Sequence, residues 1–304
     1  MNETLHVVTA ISNTNRYRSR YELYREFEPY VLNSGGDLYT VEMAFGDRPH
    51  EVTVRTNPKH LQLFSSTELW HKENMINLGV ARLPSDWKYV AWIDADVSFT
   101  RHDWVKETLH QLQHYDVVQM FEDAYDLAPP RDSKIIGKAQ GFAASYVNGR
   151  KEMPSGYYGG HFWHPGYAWA CTRRAWETMG GLIDWAILGA GDHHISRALI
   201  GQVESSYHKG CTLEYKKTLH VWQEHALELK KNIGYVPGSL LHRWHGPKAA
   251  RGYRTRWQIL VDNQFNPHTD IKKDSQGLYQ LTLNKIKLRD ELREYFRSRN
   301  EDAI

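Results

Sequence analysis

The sequence predicts an α/β fold with a mostly parallel twisted sheet and helices on both of its faces, and three observations carry that prediction. The chain opens on a strand–helix–strand succession: Leu5 to Ile11, an amphipathic stretch through about Val31, then Asp37 to Ala44. Such a unit begins a parallel, doubly wound sheet, which gathers its ligands at the carboxyl ends of its strands. A further apolar run, Tyr89 to Ile93, leads into two carboxylates one residue apart, Asp94 and Asp96. Finally, 304 residues that are 41% hydrophobic and 24% charged can bury a large core.

The elements follow in order. Leu5 to Ile11 ends in Ser12-Asn13-Thr14-Asn15, and Arg16, Arg18 and Arg20 come at once. Tyr21, Leu23, Tyr24 and Phe27 form the apolar side of the first helix, which Asn33-Ser34-Gly35-Gly36 stops. Ser65 and Glu68 have capping-box spacing, so a second helix is expected from Ser65 to Leu83, closed by Pro84-Ser85-Asp86. Val97-Ser98-Phe99 prolongs the central strand, because no turn residues follow the acids. Thr100 and Asp103 start a helix to about His114, and Asp116 to Phe121 is a fourth strand. From Glu122 to about Gly156 a long loop region with short elements is expected. Thr172 caps a helix that ends at Met179 before Gly180-Gly181, and Ile195 to Ile200 is helical. Residues 203–235 show no decisive pattern. Thr282 to Arg299 is a charged helix followed by a frayed end at 301–304. The expected division is one domain over 1–265 and a C-terminal helical extension, 266–304, packed on it.

Composition excludes several classes. A net charge of +2 is too small to indicate nucleic acid or a membrane by itself. No apolar run is long enough to cross a bilayer, and Met1 to Leu5 is polar, so neither signal peptide nor anchor is expected. Cys171 and Cys211 form no metal-ligand spacing and suit a reducing compartment. A cytoplasmic protein is expected. Eleven Trp, eighteen Tyr and seventeen His supply core packing, or surfaces on which sugars and bases stack.

Several stretches carry chemistry. In an extended chain Asp94 and Asp96 point the same way, where two acids can hold a divalent cation that neutralises phosphates. The bland alternative is an Asp-rich turn. The basic residues 16 to 20 suit a phosphate or a solvated helix start. Lys72 and Asn77 lie on the helix before the acids and face either a ligand or solvent. Gly156 to Trp169 offers glycines and flat rings to a ligand, or forms a hairpin with its aromatics in the core. Asp192, after Gly189-Ala190-Gly191, is a helix cap or a general base. His242 and His245 precede Gly246-Pro247, with Lys248, Arg251, Arg254 and Arg256 beyond. Imidazole suits Mn²⁺ beside carboxylates, and guanidinium pairs bidentately with phosphate; otherwise this is a basic surface segment.

Taken in series, four of these stretches resemble the GT-A fold glycosyltransferases, most closely the β-1,4-galactosyltransferase-like layout. Lys72 to Gly79, ending Asn77-Leu78-Gly79, looks like the helix ending in Asn-Val-Gly. Ile93-Asp94-Ala95-Asp96 looks like the Asp-x-Asp metal motif. Trp185 to Asp192, with Arg197 to Gly201, looks like the glycine-rich turn, catalytic acid and helix that bind the acceptor. Trp244-His245-Gly246 with the later arginines looks like the late metal-ligand histidine and donor-covering loop. The resemblance implies a single nucleotide-binding α/β domain of GT-A type. It implies that Asp94 contacts the ribose or the metal, and that Asp96 and His245 ligate Mn²⁺ or Mg²⁺, with His242 as the alternative. The resemblance implies that Thr9, Ala10, Arg16, Lys72, Asn77, Lys248 and Arg251 bind a nucleotide-sugar donor, UDP-linked. Asp192 would deprotonate an acceptor hydroxyl for an inverting displacement.

The chain departs from the family where Gly191 and His193 flank Asp192 in place of a second acid. Arg256-Trp257 echoes part of the Gln-x-x-Arg-Trp motif of processive synthases, but Tyr253 stands where Gln would be. The missing anchor and disulfides separate it from secretory-pathway relatives. From Leu240 onward it is similar to phage-encoded glycosyltransferases, which implies host cytoplasm and a hydroxymethylated base in phage DNA as acceptor, a glycan being the other choice. Two further classes share these residues: a nucleotidyltransferase using the Asp pair and basic loop, and a non-catalytic sugar- or nucleic-acid-binding module.

Overall fold

The computed structural model describes residues 3–129, 134–150, 163–282 and 285–303. Its first half runs β1 Leu5–Ser12, α1 Arg18–Asn33, β2 Asp37–Phe45, β3 His60–Ser65, α2 Lys72–Val80, β4 Tyr89–Ile93, β5 Val97–Phe99, α3 Trp104–Gln111, β6 Val117–Gln119, β7 Asp123–Leu127, β8 Ile135–Gly141 and α4 Phe142–Val147. The second half runs β9 Trp163–His164, β10 Ala168–Thr172, α5 Arg173–Met179, α6 Gly191–Leu199, α7 Leu213–Leu227, β11 Ile233–Tyr235, β12 Ser239–His242, α8 Trp257–Asp262, β13 Ile271–Lys273, β14 Tyr279–Leu281 and α9 Ile286–Ser298.

The main sheet has the order β11-β6-β10-β4-β1-β2-β3. All its pairings are parallel except those of β10, which runs against both β4 and β6. The inner strands read as nearly continuous apolar runs because both faces are covered. Val8, Val41 and Val90 pack with Met75 and Ile76 of α2, Ile195 of α6 and Leu219 of α7 on one face. On the other, Leu5, Val7 and Ala91 pack with Tyr24, Phe27 and Val31 of α1 and Trp104 of α3. This is a mixed α/β domain with a large, mostly parallel sheet, as the sequence predicts. Leu288 and Leu292 of α9 belong to the first of these clusters, so the residues beyond 266 share the main core.

A second sheet, β5-β12-β7-β8-β9, positions the candidate site. It corrects the reading of the central stretch. The chain does not stay extended through the acids: β4 ends at Ile93, Asp94 to Asp96 form a turn, and β5 joins the other sheet. The turn is held by Asp94 N–H donating to Tyr167 C=O (2.8 Å) and Arg243 N–H donating to Asp96 C=O (2.8 Å). The two carboxylates therefore part company.

Other expectations are also corrected. The capping box at Ser65 does not form: Ser65 ends β3 and its hydroxyl donates to Thr67 C=O (2.8 Å), while Glu68 is ion-paired with Arg293 (3.2 Å). The helix begins instead at Lys72. The expected loop after Glu122 holds β7, β8 and α4, and the uninformative 203–235 segment contains the fifteen-residue helix α7. The end of the chain is not frayed through Ala303, since Glu301 is 2% exposed. The expected cap at Thr172 is present, its hydroxyl accepting from Ala175 N–H (3.1 Å). Of the Gly156–Trp169 stretch, 156–162 lies outside the described residues.

Candidate functional site

One cleft of about 1310 Å³ lies between the two sheets, on the side where β1 and β4 end. Register assembles its most distinctive cluster. Pairing of β12 with β5 sets His242 opposite Val97, next to Asp96, and pairing of β12 with β7 sets His242 opposite Asp126. The chain then turns so that His245 returns to the same point. His245 Nε2 lies 3.0 Å from Asp96 Oδ2, His242 Nε2 lies 3.1 Å from His245 Nε2, and His242 Nε2 lies 4.0 Å from Asp96 Oδ2.

These three side chains fit a divalent cation. Each can offer one ligand atom, and the three atoms lie within 4.8 Å of one another. Adjacent ligands on a six-coordinate ion with bonds of about 2.1 Å stand about 3 Å apart, which the two short separations match. Asp96 Oδ1 is buried with no hydrogen-bond partner, a costly arrangement unless something else satisfies it. Burial opposes the Asp96 charge, but His245, His242 and Arg20 outweigh it and hold the carboxyl far below its usual range. Burial pushes His242 down to about 4, against the pull of Asp126 and Asp96, leaving the neutral imidazole that metals bind.

Surrounding groups fix the ligands. His242 Nδ1 shares a hydrogen with Asp126 Oδ1 at 2.8 Å, and Asp126 also takes a bond from Tyr167 Oη (3.2 Å) and an ion pair from Lys248. This is the carboxylate–imidazole arrangement that orients metal ligands. Tyr167 stacks on His164 (centroids 4.1 Å apart) and meets His242 at a 30° tilt (4.6 Å). Arg251 reaches His245 Nε2 at 2.9 Å.

Asp94 turns the other way and pairs with Lys72 Nζ at 2.5 Å. Burial raises the Asp94 carboxyl, partly offset by Lys72. Asp192 sits in the first turn of α6, where the helix dipole favours a carboxylate. Ala190, at φ 73°, and Gly189, at φ 87°, make the bend before it. A side chain at Gly166 would stand 2.6 Å from Asp192 Oδ2 and 3.2 Å from His164, so this glycine keeps the acid open to the cleft beside the stacked rings. A side chain at Gly191 would meet the Glu73 carboxyl at 2.6 Å.

The cleft thus gathers Ala10, Lys72, Asp94, Asp96, Asp192, His245, Lys248 and Arg251, along with His242. Three expected donor-site residues lie elsewhere. Thr9 is fully buried, donating to Ile93 C=O (2.8 Å). Arg16 is ion-paired with Glu51 outside the cleft lining. Asn77 ties α2 to the turn before Trp185, accepting from Leu182 N–H (2.9 Å) and donating to Leu182 C=O (3.0 Å). Sequence reasoning missed Asp126, Glu73 and Glu301, and gave Arg20 and Tyr167 only as members of a basic cluster and of a glycine- and aromatic-rich stretch, both of which reach the cleft. Asp126 stands in a polar strand with no motif around it, and the others come together only through distant contacts.

No family model matches the chain, and no curated protein matches it. Among solved structures it is similar to the catalytic domain of Drosophila beta1,4-galactosyltransferase 7 in complex with xylobiose, at 10% identity and a TM-score of 0.42, over 96% of this chain and 99% of that one. A variant of that enzyme in complex with manganese, UDP-Gal and xylobiose gives 9% and 0.41, over 95% and 98%. A protein described as a nucleotide-diphospho-sugar transferase from Desulfovibrio desulfuricans gives 11% and 0.34 over the whole of both chains. At these identities and scores the likenesses assign neither a residue role nor an activity to this chain. No helix among the described residues is long and apolar enough to cross a membrane.

Proposed function

We propose that this chain is a metal-dependent glycosyltransferase that moves a sugar from a nucleotide-sugar, UDP-linked by our reading, to an acceptor hydroxyl. The observation that carries the proposal is the Asp96–His242–His245 cluster, with its orphaned carboxylate oxygen, in the same cleft as Asp192. A Mn²⁺ or Mg²⁺ ion held there supplies positive charge where a departing diphosphate develops negative charge. Lys248 and Arg251, also in the cleft, suit the phosphate oxygens. Asp192 takes the proton from the acceptor hydroxyl. That oxygen bonds to the anomeric carbon as the bond to the diphosphate breaks on the opposite side, which inverts the centre. The acceptor is a glycan or a hydroxymethylated base of phage DNA; duplex DNA would have to extrude the base, and its affinity would fall steeply with salt.

The test combines binding and turnover. UDP with Mn²⁺ is expected to raise the melting temperature of the wild type, and Asp96→Ala to abolish the rise. Asp192→Asn should keep that rise yet lose roughly 100-fold or more in nucleotide release from UDP-sugar, assayed with modified DNA, simple glycans and no acceptor. A metal-independent shift would point to a binding module. Turnover of a nucleoside triphosphate with a sugar phosphate, and not of nucleotide-sugar, would point to nucleotidyltransfer.

A further inference from the structure

The C-terminal residues reach the metal cluster from behind. Glu301, 2% exposed, lies with its Oε2 3.7 Å from His245 Nδ1. Its carboxylate is fixed on the other side: Arg20 donates to Oε1 (2.8 Å) and pairs with Oε2, and Arg299 Nε is 2.7 Å from Oε1. The backbone around it is clamped as well. Trp244 Nε1 donates to Ala303 C=O (2.8 Å), and Asp302 accepts from Arg18 N–H and Ser19 N–H (2.9 Å each) at the start of α1, which has no cap of its own. Gly246, at φ 86°, approaches so closely that a side chain there would stand 2.7 Å from Asn300 C=O and from the Glu301 Cα. Tail and histidine loop are built against each other.

Resting on the metal reading above, we infer that Glu301 is a positioning residue of the metal centre, orienting His245 through Nδ1 as Asp126 orients His242. The physical reason is the tautomer. When Nε2 faces a cation, Nδ1 carries the hydrogen, and a carboxylate on that side fixes the ring and strengthens the other nitrogen as a ligand. His242 has such a carboxylate at 2.8 Å. For His245, Glu301 is the carboxylate on the Nδ1 side, at 3.7 Å. A carboxylate with two arginines at its back has few other orientations open to it.

The experiment is Mn²⁺ binding to the donor-free full chain, followed by loss of the free-ion paramagnetic resonance signal, in the wild type, Glu301→Gln and Asp302→Ala. Glu301→Gln keeps the side chain's size and is expected to weaken Mn²⁺ binding roughly 10- to 100-fold. Asp302→Ala removes a clamp on the same tail without touching His245. It is expected to lower the melting temperature of the metal-free protein by a few degrees, on the order of a lost helix cap, with Mn²⁺ affinity unchanged. Wild-type affinity in Glu301→Gln, or an equal loss in Asp302→Ala, would overturn the assignment and leave the metal site standing. A wild type that does not bind Mn²⁺ would instead bring down the metal reading, and this inference with it.

Discussion

Glu73 shows what the site costs a single residue. It is 5% exposed and accepts one bond from Trp70 Nε1 (3.0 Å). Burial first, and the nearby Asp192 and Asp94 charges, raise its carboxyl to about 7 against the opposing pull of Lys72. A carboxyl with a folded value above its unfolded one stabilises the fold while protonated, and that stability is lost as pH rises through 7. Glu73→Gln keeps the size and an acceptor for Trp70 but cannot ionise. It is expected to be more stable than wild type at pH 8, by at most about 3 kcal/mol for a shift of this size, and indistinguishable from it near pH 4.5. Urea unfolding at both pH values checks this; equal stability at pH 8 would sink it. At this scale legibility was uneven. Asp96 and His245 stand in short motifs with recognisable neighbours, and the structure brings them together. Asp126 stands 116 positions from His242 and Glu301 stands 56 from His245, each joined to its partner by packing that no local pattern announces.

Among the elements, α2 links core to cleft. Its Lys72 end reaches Asp94, and its Gly79 end lies on the sheet, where a side chain would stand 2.6 Å from Val8 Cγ1 and 2.9 Å from Val41 Cγ2. Replacing glycine by alanine in a helix gains about 1 kcal/mol in propensity, but forcing a methyl into packed core costs about 1–3 kcal/mol. Gly79→Ala is therefore expected to destabilise the fold modestly, and to weaken the Lys72–Asp94 register if the helix rides outward. A denaturation midpoint at or above that of wild type would show that the close approach is not needed. The strongly apolar strands β1, β2 and β4 and helix α9 were legible because burial dictates their pattern. Helix α2 was started seven residues early, because Ser65 and Glu68 have capping-box spacing yet spend their side chains on Thr67 and Arg293. The strands β7 and β8 were not legible: Asp123–Leu127 and Ile135–Gly141 are partly exposed and lack an alternating pattern. Helix α7 was missed although Tyr215, Leu219, Trp222 and Ala226 have helical spacing and Thr212 caps it, its hydroxyl accepting from Tyr215 N–H.

Across the whole molecule, pH acts on buried groups of opposite sign. Burial pushes His164 down to about 3, with Lys248 adding to the effect, and His193 to about 4, with Arg197 adding to it. His71 and His194 move in the same direction, also through burial. For these histidines the unfolded chain takes up protons first, so stability is lost as pH falls below 6.5 toward the folded values. By pH 5, His164 and His193 each withdraw at most about 2 kcal/mol. Glu73 works the other way over much of the same range and returns about as much as one histidine removes. The carboxylates held low, Asp96, Asp126 and Glu301, enter only below about pH 4, where their unfolded counterparts protonate. The melting temperature is therefore expected to fall between pH 7 and pH 5, well before ordinary carboxylate titration. The fall should be steeper in Glu73→Gln, where the offsetting group is gone, and shallower in a His164→Asn variant. Thermal melts of the three proteins at half-unit intervals decide it. Parallel curves for wild type and Glu73→Gln would mean that Glu73 does not ionise in this range, and a flat wild-type curve down to pH 5 would mean that the buried histidines withdraw no more stability than Glu73 returns.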